Sequence, residues 1–300
     1  MVPAGRNVKI WIFITLCSLL AWIVYWVPSS IDRFFGMDGT PWDVILQNIG
    51  LMFIVMEMSG AIGGLVRLVG VIFGILSLVL LTIYNKRFLE IKKWVVSALL
   101  LESIYYFLLL PSALFMLGFG SDVFEDVLRR NMVYLLLGID YLLLVLFTAP
   151  FLLILAIKVY KYESEAKGFK SWKWVSVTFV GYIASLWVNS VIKWFDMVAA
   201  EGFSFFSTGI RSLGATNAFL LMSLALFFAI IGAFSLAKHD FSSAFKWSGM
   251  TFVLVGLHYL IYVFYSYLVG MESFLMLAEI WTIPLLGLGL TMLLKSGKSN

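Results

Sequence analysis

The chain has 300 residues, of which 62% are hydrophobic and only 13% charged, with a formal net charge of +4. No hydrophilic stretch exceeds a loop, which leaves no room for a soluble domain beside the apolar part. A single domain over 1–300 is expected. The charges fall in short gaps between apolar runs of about 20 residues, the length that crosses a bilayer. The excess of positive charge therefore reports topology rather than a nucleic-acid-binding patch, and no nucleic-acid partner is expected.

The first apolar run, 8–27, follows Arg6 and Lys9 and contains Trp11, Trp22 and Trp26. It is longer than a secretory signal core and no small-x-small site follows it, so it reads as a retained first span. Cys17, the one cysteine, lies in this run and can form no intramolecular disulfide.

The next stretch is too long for one span. Read as a single helix, 42–84 would reach about 60 Å, twice the hydrocarbon thickness. Thr40, Pro41 and Asp43 form a helix start, with Thr40 as N-cap and Pro41 at the first helical position. Gly60, Gly63 and Gly64 then interrupt the run. If 42–59 crossed fully, the basic loop at 85–93 would face outward. The expectation is a re-entrant or interfacial helix over 42–59, followed by a second span at 65–84. The alternative is one long, tilted and kinked helix. Irregular backbone at membrane depth would mark a covered or water-lined place and hence a site.

Further spans are predicted at 94–117, 132–157, 172–194, 214–236, 247–269 and 274–294. The fold class is thus an all-α, polytopic transmembrane helical bundle of about eight spans. With the N-terminus inside, the inner segments hold Arg6 and Lys9; Lys86, Arg87, Lys92 and Lys93; Lys158, Lys161, Lys167, Lys170 and Lys173; Lys238 and Lys246; Lys295 and Lys298. Outside lie Arg33, Arg129, Arg130, Lys193 and Arg211. This asymmetry predicts that both termini are cytoplasmic and that the protein resides in the cell membrane.

A repeat is visible at the inner helix starts. Lys93-Trp94, Lys173-Trp174 and Lys246-Trp247 each open a span, and KWVSVTFV at 173–180 resembles KWSGMTFV at 246–253. Four parallel hairpins would produce this pattern, although Lys and Trp also suit any cytoplasmic interface.

Ionisable side chains inside a bilayer cost about 2.5–3.5 kcal/mol each on insertion scales and face a bundle interior or cavity. The candidates are Glu57, Arg67, Glu102, Asp140 and Glu279, with Lys193 at an outer helix end and His258 near mid-span. Counting about 1.5 Å per residue from the basic anchors places Arg67, Asp140 and Glu279 some 24–26 Å up, in the outer half. The same count puts Glu102 about 12 Å and His258 about 18 Å up. Glu57, Asp140 and Glu279 are thus expected to converge on Arg67, while Glu102 stands apart in the inner half.

Gly60 and Gly64, then Gly70 and Gly74, form two GxxxG spacings around Arg67, expected to be helix-packing faces or a homodimer seam. His258 has no second intramembrane histidine to share a haem, so it reads as a hydrogen-bonded core residue. No HExxH, GxSxG, phosphate-binding loop or paired-cysteine pattern is present. No cofactor, metal or catalytic residue is expected.

The bilayer itself is the first partner. Beyond it, the leading expectation is a transporter or channel-like protein for a small solute or ion, with an outward-facing polar site near Arg67. The other reading is a non-catalytic scaffold, assembly or sensor subunit bound to a protein partner, whose polar residues are structural.

Overall fold

The computed structural model describes residues 6–35, 51–84, 87–118, 135, 138–162, 172–201, 210–268 and 272–296. Among them every regular element is helical: α1 (Arg6–Phe35), α2 (Leu51–Thr82), α3 (Phe88–Phe107), α4 (Leu110–Gly118), α5 (Gly138–Tyr160), α6 (Trp172–Glu201), α7 (Ile210–Ala237), α8 (Phe241–Leu268) and α9 (Glu272–Ser296). Six described stretches are long and apolar enough to cross a membrane: Met58–Leu81, Phe88–Leu117, Gly138–Tyr160, Trp172–Ile192, Thr216–Ala237 and Phe241–Ile261. Helices dominate because a hydrocarbon medium offers the backbone no other hydrogen-bond partner.

The helix α2 corrects the expectation of a separate re-entrant piece. It runs unbroken for 32 residues from Leu51 through Gly60, Gly63 and Gly64 to Thr82. Its first turns, which fall in the stretch expected to be re-entrant, are one rod with the rest; residues 42–50 lie outside the described residues. Glycine disfavours a helix by about 1 kcal/mol relative to alanine in water. In an apolar medium the cost of an unmade backbone hydrogen bond is larger, so the ladder continues through the glycines.

Two interruptions do occur, and both sit at prolines. Between α3 and α4 the chain tightens at Leu108 and Leu109, where the Leu109 N–H donates to the Tyr106 carbonyl at 3.1 Å. Pro111 follows, and its ring cannot sit against the carbonyl one turn back. In α5, Leu144–Thr148 forms a π-helical turn directly before Ala149-Pro150. The extra residue in that turn accommodates the missing proline N–H.

Neighbours in sequence pack on one another: α1 on α2, α2 on α3, α3 on α5, and so on to α9, which returns to α1. The result is a ring of helical hairpins. The seam between α1 and α9 closes where Trp11 lies on Gly287; a Cβ there would fall 2.5 Å from the indole. The stripe Val55, Met58, Ile62, Leu65, Val69, Ile72 and Leu76 on α2 is exposed at alternating three- and four-residue spacing, as a lipid-facing surface requires. The opposite face of α2 turns inward. There a Cβ at Gly70 would stand 3.1 Å from Leu101 Cβ, and one at Gly63 would stand 3.3 Å from the Tyr105 ring. Gly60 faces open space and Gly74 touches only Leu16, while Gly64 is buried. The close approach on α3 is thus made by Gly63 and Gly70, two helical turns apart.

The short turn between α7 and α8 is tightly specified. His239 adopts φ 62°. The Asp240 N–H donates back to the Ser235 carbonyl at 2.9 Å, closing α7 in the Schellman manner. Asp240 then caps α8, accepting from the Ser243 N–H at 3.1 Å.

Candidate functional site

The antiparallel pairing of α2 and α3 creates the site. Arg67 lies 15 residues before the end of α2 at Thr82, and Glu102 lies 14 residues after the start of α3 at Phe88. Two residues equidistant from one hairpin turn face each other. The Arg67 Nε donates to Glu102 Oε1 at 3.1 Å, an ion pair across the two helices.

This partner corrects two expectations. Glu102 does not stand apart; counted from the start of α3 it rises about 21 Å, level with Arg67. Asp140, expected at Arg67, is instead buried between α5 and α6. Its Oδ1 accepts from the Ser185 hydroxyl at 2.7 Å, with the Asn189 side chain nearby. The side chains of Glu57, Lys193 and Glu279 lie outside the described residues.

Tyrosines surround the pair. The Arg67 Cζ stands 4.5 Å from the Tyr105 ring centroid and 5.9 Å from that of Tyr106, both cation–π distances. Tyr105 and Tyr182 also lie within electrostatic reach of the guanidinium. Tyr182 comes from α6, across the ring from α2, and is itself close to Tyr259 of α8. A side chain on α6 within electrostatic reach of groups on α2, α3 and α8 lies on the inner side of the ring. Yet Tyr182 is 38% exposed, and the Arg67 and Glu102 side chains keep 12% and 22% of their surface accessible. The polar groups inside the ring therefore border open space.

His258 is as expected of a core histidine. It is buried, and Nδ1 lies 3.1 Å from the Ala218 carbonyl, an acceptor that places the proton on Nδ1. Among the described residues no three His, Cys, Asp or Glu side chains gather as a metal site would.

Sequence reasoning missed the tyrosines. Tyr105 and Tyr106 follow Glu102 by three and four residues, one turn along the same face, and that spacing was the available signal. Tyr182 had no local signal, since only the ring closure brings α6 opposite α2.

The fold defines a multi-pass α-helical membrane protein. No family model, curated protein or solved structure matches the chain. What the protein does must therefore be argued from the site.

Proposed function

We propose that this protein is a membrane transporter or channel-like protein for a small polar solute, with Arg67 and Glu102 at its binding site. The observation that carries the reading is the openness of the pair. An ion pair that only ties two helices together gains most when it is dry and bidentate. Here the contact is single, both side chains keep accessible surface, and Tyr182 of α6 is itself exposed.

In this reading α1 and α9 are the seventh and eighth spans. The inner ends carry the lysines stacked on tryptophans: Lys93 over Trp94 at 5.5 Å, Lys173 over Trp174 at 5.7 Å and Lys246 over Trp247 at 5.0 Å. That common end is cytoplasmic, with both termini beside it in the cell membrane. The repeat gains support from Thr178 and Thr251, which occupy equivalent positions and bond back to the Trp174 and Trp247 carbonyls. Their neighbours Phe179 and Phe252 meet at 5.7 Å between centroids.

The scaffold reading draws its support from Asp140, a buried carboxylate held by the Ser185 hydroxyl of the neighbouring helix. Light scattering of proteoliposomes after an osmotic step separates the two. A transporter lets at least one class among amides, polyols, amino acids and simple salts relax the vesicles faster than protein-free ones, and Arg67→Leu removes the difference. Relaxation identical to empty vesicles for every solute would leave the scaffold.

A further inference from the structure

We infer that the solute bound at Arg67 and Glu102 is a small zwitterion, carrying one carboxylate and one ammonium. The inference rests on the transporter reading and specifies the chemistry of its cargo. It begins with charge balance among the described residues: Arg67 and Glu102 cancel, and the guanidinium's other close neighbours are the uncharged rings of Tyr105 and Tyr106. A solute with net charge would leave that charge uncompensated inside the helix ring, where desolvation is most costly.

A neutral solute avoids that cost but gains only uncharged hydrogen bonds. A zwitterion avoids it and gains charge-assisted ones at both ends.

Geometry supplies the second strand. The pair meets through Nε and Oε1 alone. That side-on contact occupies one N–H of the guanidinium fork and one oxygen of the carboxylate. The remaining N–H groups can grip a second carboxylate in the planar, two-point manner that guanidinium favours. Glu102 Oε2 is the matching acceptor for an ammonium.

The aromatic surroundings fit the same cargo. The Tyr105 face already lies 4.5 Å from a cation, so it tolerates positive charge. Tyr182 of α6, within electrostatic reach of Arg67, is a further hydroxyl that can donate to the carboxylate of the cargo. Binding would then convert the direct pair into a head-to-tail chain: guanidinium, solute carboxylate, solute ammonium, Glu102.

The test uses the purified full-length protein in detergent and reads its thermal unfolding midpoint with glycine, alanine or γ-aminobutyrate. Acetate, methylammonium and acetamide are the single-charge and neutral counterparts. A ligand that binds only the folded state raises the midpoint. The expected result is a rise with at least one zwitterion, no comparable rise with the three counterparts, and loss of the rise in Arg67→Gln/Glu102→Gln. That double variant keeps charge balance and hydrogen-bonding capacity, so it is expected to fold, and its unliganded midpoint verifies this. An equal rise with acetate, methylammonium or acetamide that also needs the pair overturns the zwitterion while leaving a solute site in place. No rise with any zwitterion overturns it too, and osmotic relaxation of proteoliposomes then decides separately whether the transporter reading stands.

Discussion

Two hairpins of this ring are joined in opposite ways. Between α2 and α3 the closest polar contact is the Arg67–Glu102 pair, with accessible side chains and tyrosines around it. Between α8 and α9 the backbones themselves touch. A Cβ on Gly289 would lie 2.7 Å from the Gly249 carbonyl oxygen and 2.7 Å from the Val253 nitrogen, and one on Gly256 would lie 2.8 Å from Leu286 Cγ. The first hairpin spends a costly charge pair and leaves it partly accessible; the second brings backbone against backbone at its glycines. Since close packing suffices to hold helices together in lipid, the charges in α2 and α3 call for another reason, and the proposed solute binding would supply one.

The largest expected effect tests that contrast directly. Arg67→Leu leaves Glu102 without its cation inside the helix ring and should cost up to about 3–5 kcal/mol of stability, the figure for breaking a fully buried pair from one side, reduced by the accessible surface Glu102 keeps. Arg67→Leu/Glu102→Leu should recover most of the loss, because a packed apolar pair is often as stable as the ions it replaces. Solute flux should stay absent in both. Unfolding of the purified variants in parallel with vesicle flux measures the two together. A double variant that regained flux would show the charges to be structural.

How much of this was legible beforehand depends on the kind of signal. Apolar run length located the six stretches that pass for spans, since hydrocarbon thickness acts on each helix separately. The ion pair was misread because depth was counted from Lys92 and Lys93, inside α3, rather than from the helix start at Phe88. Counting both residues from their shared turn brings Arg67 and Glu102 level. The break expected at Gly60 was not there, since glycine spacing alone does not distinguish an interruption from a packing face. The glycines at 249, 256 and 289, where the helices touch most closely, carry no signal until α8 and α9 are seen side by side. The exposed Tyr182 is a product of ring closure, which no local pattern records.

The glycine seam yields the next effect in size. Gly289→Ala should destabilise by about 1–3 kcal/mol, because its new methyl meets backbone atoms that cannot rotate aside. Gly60→Ala, where a Cβ meets nothing within 4 Å, should be neutral or slightly stabilising. Thermal midpoints of the two variants compare a closed glycine with an open one. Equal midpoints would mean that the α8–α9 backbones are not in contact.

A smaller effect, of opposite sign, is expected in the turn that leads into the second hairpin. His239 holds φ 62°, a conformation in which a side chain is strained and glycine is not. His239→Gly should therefore raise stability by up to about 1 kcal/mol, the left-handed cost less the extra chain entropy of glycine. Loss of stability would indicate that the ring contact between His239 and Phe241, at 6.2 Å, outweighs the backbone term.

The smallest effect is a pH dependence, and its sign is fixed by Asp240. This carboxylate is exposed beside the turn and accepts hydrogen bonds from the Ser243 hydroxyl and N–H, which lower its pKa from the ordinary value of 3.8. A depressed carboxylate contributes stability that is complete above its unfolded pKa and disappears as the pH falls through the folded one. Asp240→Asn keeps an acceptor at the start of α8 but removes the titration. The wild-type protein should therefore exceed Asp240→Asn by a small, constant margin at neutral and mildly acidic pH. That margin should close below about pH 4, near the ordinary carboxylate pKa. Paired unfolding curves across that range check it, and a margin that widened on acidification would contradict the cap. No such closing is expected between Gly289→Ala and wild type, because packing against a backbone carries no proton.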